Sequence, residues 1–316
     1  MEERKTIYLC LAHMSETGEE QKYVKEAFDT NWVVPLGPNV NGFEDDLKAF
    51  VSKNSDGSEL SREVVALSAG TAAVHLGLLA CGVGPGDEVC VQSFTFCASS
   101  HPITYLGATP VFIDSEPDSW NMDPELLEKA IFDRKEKTGK YPKAIVPVAL
   151  YGMPYDCDKI MAISEKYGIP VVEDAAEGCG SRWKGQVLGT FGKFGVLSFN
   201  GNKMITTSGG GALICQDAES KNNVMWYATQ ARDAYPYYQH TAIGYNYRMS
   251  NVCAGIGRGQ MTVLEDHIAH HKHVQELYKE LLKDVEGVTL HEAPNADYDS
   301  NYWLCTITLD PKLKIQ

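Results

Sequence analysis

Short apolar runs alternate with amphipathic stretches of helix length through the middle of the chain, and this alternation constrains the fold more than any other feature. Strands that alternate with helices favour a parallel sheet, and uninterrupted apolar runs indicate strands covered on both faces. The strand candidates are residues 64–67, 88–92, 110–113, 144–150, 170–173, 195–199 and 211–215. The helical patterns are residues 71–81, 96–106, 124–137 and 156–167. Because only a loop separates the last two strands, we expect an α/β fold with a mixed, mostly parallel central sheet flanked by helices.

The two flanks of this block predict further elements. Before it, helices are expected at residues 18–29 and 42–52, around a loop at 31–38. After it, we expect one long helix, straight or bent, at 251–285, followed by strands at 288–291 and 302–309. The expected units are an N-terminal helix and loop (1–40), a large domain (41–255), and a long helix that begins a smaller α/β domain (256–316). Since a terminal strand pair has little to pack against, we expect the smaller domain to be incomplete.

Charge and composition exclude several classes of protein. The 316 residues include 28 Lys+Arg against 42 Asp+Glu, a formal charge of −14, so we expect no nucleic-acid partner. No apolar run approaches the roughly 18 residues of a membrane span, and residues 1–5 do not open a signal peptide. Nine cysteines without a CxxC pair suit free thiols in a reducing compartment. We therefore expect a cytoplasmic globular protein without a metal site or membrane partner.

A small-residue turn at residues 68–76 (SAGTAAVHL) joins a strand end to a helix start. Small residues let a ligand approach the backbone, and the first helical turn offers unpaired N–H groups and the positive end of the dipole to a phosphate. The alternative is that a serine or threonine simply caps the helix, and local sequence alone favours that alternative.

Two further segments carry an acid and a lysine. Asp174 lies at the carboxyl end of a buried strand, where ligands bind in open α/β sheets, although it could instead cap the next segment. Lys203 lies in a turn followed by three glycines, with no charged residue close by in sequence. An exposed turn lysine is the ordinary alternative. Together, a phosphate cup, an acid for a pyridinium nitrogen and a lysine for an aldehyde are the groups of a pyridoxal 5′-phosphate (PLP) site.

Five motifs in order make this inference specific. They are residues 68–71 (SAGT), 93–99 (SFTFCAS), 173–176 (EDAA), 198–203 (SFNGNK) and 244–251 (GYNYRMSN). This series resembles the DegT/DnrJ/EryC1/StrS family of sugar aminotransferases, from about residue 9 to about residue 265. The resemblance implies the fold-type I architecture of PLP-dependent aminotransferases.

The resemblance implies a role for each matching residue. Lys203 would form the Schiff base with PLP and act as the base, and Asp174 would pair with the pyridinium nitrogen. Phe96 would stack on the ring. The cofactor phosphate would be bound by Ala69, Gly70, Thr71 and Ser198, and by Asn246 from the neighbouring subunit. Because two chains would share each site, the resemblance implies an obligate homodimer.

One departure narrows the substrate. Many family members have glutamine three residues after the acid, whereas this chain has Glu177, which would lie by the 3-oxygen of the ring. With residues 31–37, 200–211 and 228–232, this feature resembles the bacillosamine-pathway branch. That branch transfers an amino group from L-glutamate to C4 of a UDP-linked 4-keto-6-deoxy-N-acetylglucosamine. The substrate candidates are Asn31, Trp32, Val33, Val34, Arg232 and Arg248, although Trp32 could be core and both arginines could form ion pairs.

Other interpretations are less favoured. A PLP-dependent sugar dehydratase shares the fold, but related dehydratases place histidine where this chain has Lys203. A catalytically inactive binding or regulatory protein is also conceivable, and nothing in the intact motif set favours it. His267, His270, His271 and His273 are expected on a solvated helix face because no HExxH pattern accompanies them. Residues 82–86 (GVGPG) precede a strand, so they predict a turn and not a dinucleotide loop.

Overall fold

The computed structural model describes residue 6 and residues 12–314. The helices are α1 (Glu19–Asp29), α2 (Pro38–Val51), α3 (Gly70–Ala80), α4 (His101–Tyr105), α5 (Pro124–Thr138), α6 (Cys157–Tyr167), α7 (Ala218–Ala228), α8 (Asn251–Met261) and α9 (Leu264–Leu282). The strands are β1 (Glu63–Leu67), β2 (Glu88–Gln92), β3 (Thr109–Ile113), β4 (Ala144–Val146), β5 (Val172–Asp174), β6 (Arg182–Trp183), β7 (Gln186–Val187), β8 (Phe194–Ser198), β9 (Gly211–Cys215), β10 (Val288–Leu290), β11 (Tyr298–Asp299) and β12 (Ile307–Leu309). Cys10 lies outside the described residues. So do residues 1–5, on which the expectation of no signal peptide depends.

Within residues 12–314, seven strands form the central sheet in the order β1-β9-β8-β5-β4-β2-β3. Parallel bridges between β4 and β5, such as Ile145 with Val171, join its two halves. β9 runs antiparallel to both of its neighbours, and the other neighbouring pairs are parallel. The expected mixed, mostly parallel sheet is therefore confirmed, and β9, which follows β8 through a loop alone, is its antiparallel member.

The sheet is buried on both faces. In β1, Val64 and Ala66 belong to one hydrophobic cluster, whereas Val65 and Leu67 belong to the other. Helices α2, α5 and α6 pack on the first face, and α3 and α7 pack on the second. Because each face needs apolar residues, the strands read as continuous apolar runs and not as alternating ones.

Several predicted boundaries are wrong. Residues 96–106 form a 3₁₀ turn (Cys97–Ser99) and the short helix α4, because Pro102 favours a new helix start. Helix α2 begins at Pro38, four residues before the predicted start, because proline at the first position suits a helix. Residues 251–285 are two helices, interrupted at 262–263. Helix α7 and the two-residue strands β6, β7 and β11 were not predicted.

The last part of the described chain folds back onto the segments that follow β4 and β5. Only Ile307–Leu309 of the predicted strand at 302–309 pairs, with β10. The residues before it are held elsewhere, because β11 pairs with β6 and the buried Asn301 donates to the carbonyls of Glu177 and Cys179. Among the described residues, no helix is long and apolar enough to cross a membrane.

Candidate active site

A cavity of about 360 Å³ lies at the carboxyl ends of β5 and β8, beside the start of α3. Its lining includes Thr71, Asp174, Ser198, Lys203 and Trp303. Parallel strands bring their carboxyl ends to one edge of the sheet, which is why residues more than 100 positions apart meet here. The fold thus brings together the acid, the lysine and the helix start that the sequence singled out.

The start of α3 forms one end of the cavity. Ala69 occupies the N-cap position in an extended conformation, and no side chain among the described residues caps the first turn. The alternative of a serine or threonine cap is therefore not what the structure shows. A Cβ on Gly70 would lie 3.0 Å from Cβ of Ser198, so glycine keeps the helix start open beside β8. Free N–H groups and a nearby hydroxyl are suited to an anion.

Asp174 is 5% exposed at the end of β5. Its Oδ2 accepts a hydrogen bond from the Ser99 hydroxyl at 2.6 Å, and its Oδ1 accepts one from the Ala176 N–H at 3.2 Å. Burial raises the pKa of the Asp174 carboxyl, whereas Ser99, the Ala176 N–H and the charge of Lys203 oppose that rise. Asp174 therefore caps the next turn and also lines the cavity.

Lys203 lies in the turn between β8 and β9. Its Nζ is 3.4 Å from Oε1 of Glu177 and 4.1 Å from the centre of the Trp303 ring. Glu177 also accepts a hydrogen bond from the Tyr151 N–H at 2.7 Å. Burial raises the pKa of Glu177, and the nearby charge of Lys203 opposes the rise. Only 13% of the lysine side chain is exposed, so it is not the ordinary surface lysine of a turn.

Phe96 lines the same cavity just before the 3₁₀ turn, and it is 68% exposed. So large an exposure for a phenylalanine leaves its ring accessible to a ligand or to another chain.

The other candidates lie away from this cavity. Asn246 is exposed in the segment between α7 and α8. Residues 31–34 form an exposed loop before α2, where Asn251 donates to the Trp32 carbonyl at 2.9 Å. The expectation that Trp32 could be core is wrong, because 39% of it is exposed. Arg232 is exposed, with its guanidinium 4.4 Å from the centre of the Tyr238 ring.

Arg248 is engaged within the fold. Its Nη1 donates to Oε1 of Glu44 at 2.5 Å and to the Ala66 carbonyl at 2.9 Å, and both charged side chains are only 9% exposed. The open alternative of an ion pair therefore describes this arginine, although the pair is buried and not on the surface. Removing either partner would leave a buried charge, which makes the pair a structural feature.

The histidines of α9 differ from expectation. His270 and His273 are exposed, but His267 and His271 are half-buried and hydrogen-bond to the carbonyls of Met204 and Tyr302 at 3.0 and 3.2 Å. The prediction of a wholly solvated face is wrong, because this face packs against the loop that carries Lys203. The described residues contain no cluster of His, Cys, Asp or Glu that could hold a metal.

Three residues of the site were not found from the sequence. Ser99 belongs to the motif at residues 93–99, but its partner Asp174 is 75 residues away. Tyr151 contributes only a backbone N–H. Trp303 reaches Lys203 from 100 residues downstream, and no local pattern marks it. Such contacts depend on tertiary structure, which a single sequence does not display.

The residues present fit PLP. An open helix start beside Ser198 suits a phosphate, an acid suits a ring nitrogen, and a buried lysine suits an aldehyde, all around one cavity. These groups on this sheet define a fold-type I PLP-dependent aminotransferase. A model of the DegT/DnrJ/EryC1/StrS aminotransferase family matches residues 14–315, and the chain belongs to this family. It is accordingly a PLP-dependent aminotransferase of nucleotide sugars.

Named relatives and solved structures agree with this family. EpsN of Bacillus subtilis (strain 168), whose name describes a pyridoxal phosphate-dependent aminotransferase, is 46% identical over 97% of this chain and 76% of its own length. GDP-perosamine synthase of Escherichia coli O157:H7 is 35% identical over 95% of this chain and 78% of its own length. The aminotransferase TlmJ from Streptoalloteichus hindustanus superposes with a TM-score of 0.86 at 28% identity, covering 98% of this chain and 80% of that one. The chain thus spans about three quarters of the length of these relatives.

Proposed function

We propose that this enzyme transfers an amino group from L-glutamate to C4 of a UDP-linked 4-keto-6-deoxy-N-acetylhexosamine, and that Lys203 attaches the cofactor. The observation that carries the proposal is the meeting of Lys203, Asp174 and the open start of α3 around one cavity. PLP, when bound, supplies the electron sink that lets a proton leave carbon.

Lys203 and Asp174 have separate tasks in this proposal. With the cofactor bound, the lysine Nζ would be the group that moves a proton to and from the substrate carbon. The Asp174 carboxylate would accept a hydrogen bond from the ring N–H of the cofactor and so favour the cationic ring. The Ser99 hydroxyl orients the carboxylate, because it donates to Oδ2 at 2.6 Å. Glu177 holds the lysine side chain in place, because its Oε1 lies 3.4 Å from Nζ.

The remaining candidate residues would bind the cofactor or complete the site of a second chain. Ala69, Gly70, Thr71 and Ser198 would bind the cofactor phosphate, and Phe96 would cover the ring. We assign Asn246, Arg232 and the exposed loop at 31–34 to a second copy of the chain, where they would complete its site. The large exposure of Phe96, Trp32 and Val33 supports such a homodimer, because another chain would cover these side chains. The described cysteines are free, which favours a cytoplasmic location.

The choice of sugar rests on the resemblance carried by Glu177 and by residues 200–211. The names of relatives span several substrates: one is a GDP-perosamine synthase, and another, from Pseudomonas aeruginosa, is a UDP-2-acetamido-2-deoxy-3-oxo-D-glucuronate aminotransferase. Incubation with glutamate and a panel of UDP- and dTDP-linked 3-keto and 4-keto sugars, followed by mass spectrometry and NMR of the products, separates these possibilities. We expect amination at C4 of the UDP-linked acceptor. A 3-amino product would overturn the acceptor assignment, and loss of a hydroxyl without gain of nitrogen would indicate a dehydratase.

The lysine assignment has its own test. Lys203→Ala should lower turnover by about 10³-fold or more, because no other group would move the proton, while pyridoxamine 5′-phosphate still binds through its phosphate. Lys193→Ala is the matched control, since Lys193 is exposed and does not line the cavity. Stopped-flow absorbance with glutamate measures both. Turnover of the Lys203 variant at the rate of the Lys193 variant would reject the assignment.

A further inference from the structure

We propose that Trp303 is a positioning residue for Lys203: its indole face holds the lysine ammonium in the state in which the cofactor carries the amino group. This inference rests on the proposal that Lys203 is the attachment residue. It concerns the state in which the cofactor carries the amino group, because the lysine is then free.

The first observation is the environment of Nζ. It lies 3.4 Å from Oε1 of Glu177 and 4.1 Å from the centre of the Trp303 ring. Both charged side chains are at most 13% exposed, so water solvates this ammonium poorly. The nearby carboxylate and aromatic face replace part of that lost hydration.

The second observation is how firmly the indole is held. Its Nε1 donates to the carbonyl of Asn202, the residue before the lysine, at 2.6 Å. The Trp303 N–H donates to Asn301 Oδ1 at 2.8 Å, and the Asn301 amide donates to the Glu177 carbonyl at 2.9 Å. One buried asparagine therefore ties the backbone of the aromatic partner to that of the acidic partner.

The third observation comes from α9. His267 hydrogen-bonds to the carbonyl of Met204, the residue after the lysine, and His271 hydrogen-bonds to the carbonyl of Tyr302, the residue before Trp303. Residues four apart share a helix face, so one face of α9 contacts both loops. This arrangement holds the indole and the lysine in register, which a tryptophan filling space would not require.

Trp303 should affect the equilibrium of the glutamate half-reaction and not only its rate. In the glutamate half-reaction, the amino nitrogen passes to the cofactor, water supplies the keto oxygen of 2-oxoglutarate, and Lys203 is released as an ammonium with the proton that the glutamate ammonium gives up. Because the indole contacts this released ammonium, it stabilises the product side. Trp303→Leu should shift the equilibrium toward glutamate and the aldehyde form by about tenfold, and Trp303→Phe by less.

Two measurements test the inference. Visible absorbance at fixed ratios of glutamate to 2-oxoglutarate gives the equilibrium constant. Brief acetylation of the enzyme loaded with pyridoxamine 5′-phosphate, followed by peptide mass spectrometry, gives the reactivity of Lys203 without turnover. We expect that reactivity to rise several-fold in Trp303→Leu and to stay near the wild-type value in Trp303→Phe.

Trp183→Leu is the matched control. Trp183 is also buried, its ring also has a lysine over it, Lys184 at 5.5 Å, and it does not line the cavity. The Trp183→Leu variant should be less stable than the wild type. Its equilibrium constant and the reactivity of its Lys203 should be unchanged. If Trp303→Leu does not fold, Trp303→Met replaces it. Wild-type reactivity and equilibrium in the aliphatic variant, or equal changes in the aliphatic and phenylalanine variants, would overturn the inference. Failure of glutamate to change the wild-type spectrum would instead reject the proposed donor.

Discussion

The two faces of the sheet at the end of β5 carry neighbouring carboxylates that differ in their surroundings. Glu173, fully buried, accepts hydrogen bonds from the N–H groups of Gly189, Phe191 and Gly192 at 2.9, 2.6 and 2.5 Å. Asp174 accepts one hydrogen bond from a hydroxyl and one from a backbone N–H, and it lines the cavity. Successive residues of a strand point to opposite faces, so a one-residue step separates them.

This difference shows what distinguishes a structural acid from a functional one. Burial raises the pKa of both carboxyl groups, so the pKa alone does not separate them. What separates them is the number of donors that the fold itself supplies. Three backbone donors satisfy Glu173 within the chain, whereas Asp174 keeps acceptor capacity toward the cavity, where a cationic ligand can use it.

The largest expected effect comes from changing Asp174, the acid that lines the cavity. Asp174→Asn should slow the glutamate half-reaction by roughly 10²–10⁴-fold, because an amide cannot stabilise a protonated ring nitrogen as a carboxylate does. Binding of pyridoxamine 5′-phosphate should change little, since the phosphate cup is intact. Stopped-flow absorbance measures the rate, and Glu173→Gln serves as the control. Equal loss in the two variants would contradict the division of roles.

The next effect is on stability. Glu173→Gln places an amide NH₂ where backbone N–H groups now find a carboxylate, so at least one buried donor loses its acceptor. We expect the free energy of unfolding to fall by about 2 kcal/mol. Urea denaturation of the cofactor-free protein measures this quantity. A variant as stable as wild type would show that the turn at 189–192 does not depend on the carboxylate.

The smallest effect depends on pH. Burial raises the pKa of Asp174 above its ordinary value of 3.8, so the folded chain keeps this proton to a higher pH than the unfolded chain does. The contribution of Asp174 to the free energy of unfolding therefore falls as the pH rises from its ordinary pKa through its raised pKa in the folded chain. The amide of the Asp174→Asn variant does not titrate. In cofactor-free protein, the melting temperature of Asp174→Asn relative to wild type should rise by a few degrees from about pH 4 to about pH 7. A constant or falling difference would contradict the raised pKa.

The sequence predicts one side of the site well. Continuous apolar runs identify the buried strands, and the rule that carboxyl ends of parallel strands meet explains why Asp174 and Lys203 reach one cavity. The side formed by Trp303 and Ser99 could not be predicted, because these contacts span 100 and 75 residues and follow no period. Strands of two residues, such as β11, are also too short to leave a pattern.

Charge patterns were the least informative part of the sequence. Arg248 falls within a family motif, yet its guanidinium is paired with Glu44 between α2 and β1. His267 and His271 have the spacing of a solvated face, yet each contacts a backbone carbonyl. A polar side chain alone does not reveal whether solvent, ligand or the chain itself satisfies it, and only the packing decides.

The ¹⁵N NMR signal of the ring nitrogen in bound, ¹⁵N-labelled PLP tests the central claim most directly. In wild type and in Glu173→Gln the signal should be that of a protonated pyridinium at neutral pH, and in Asp174→Asn it should move to that of a neutral pyridine. The same signal in all three proteins would contradict the assignment of Asp174 to the cofactor ring.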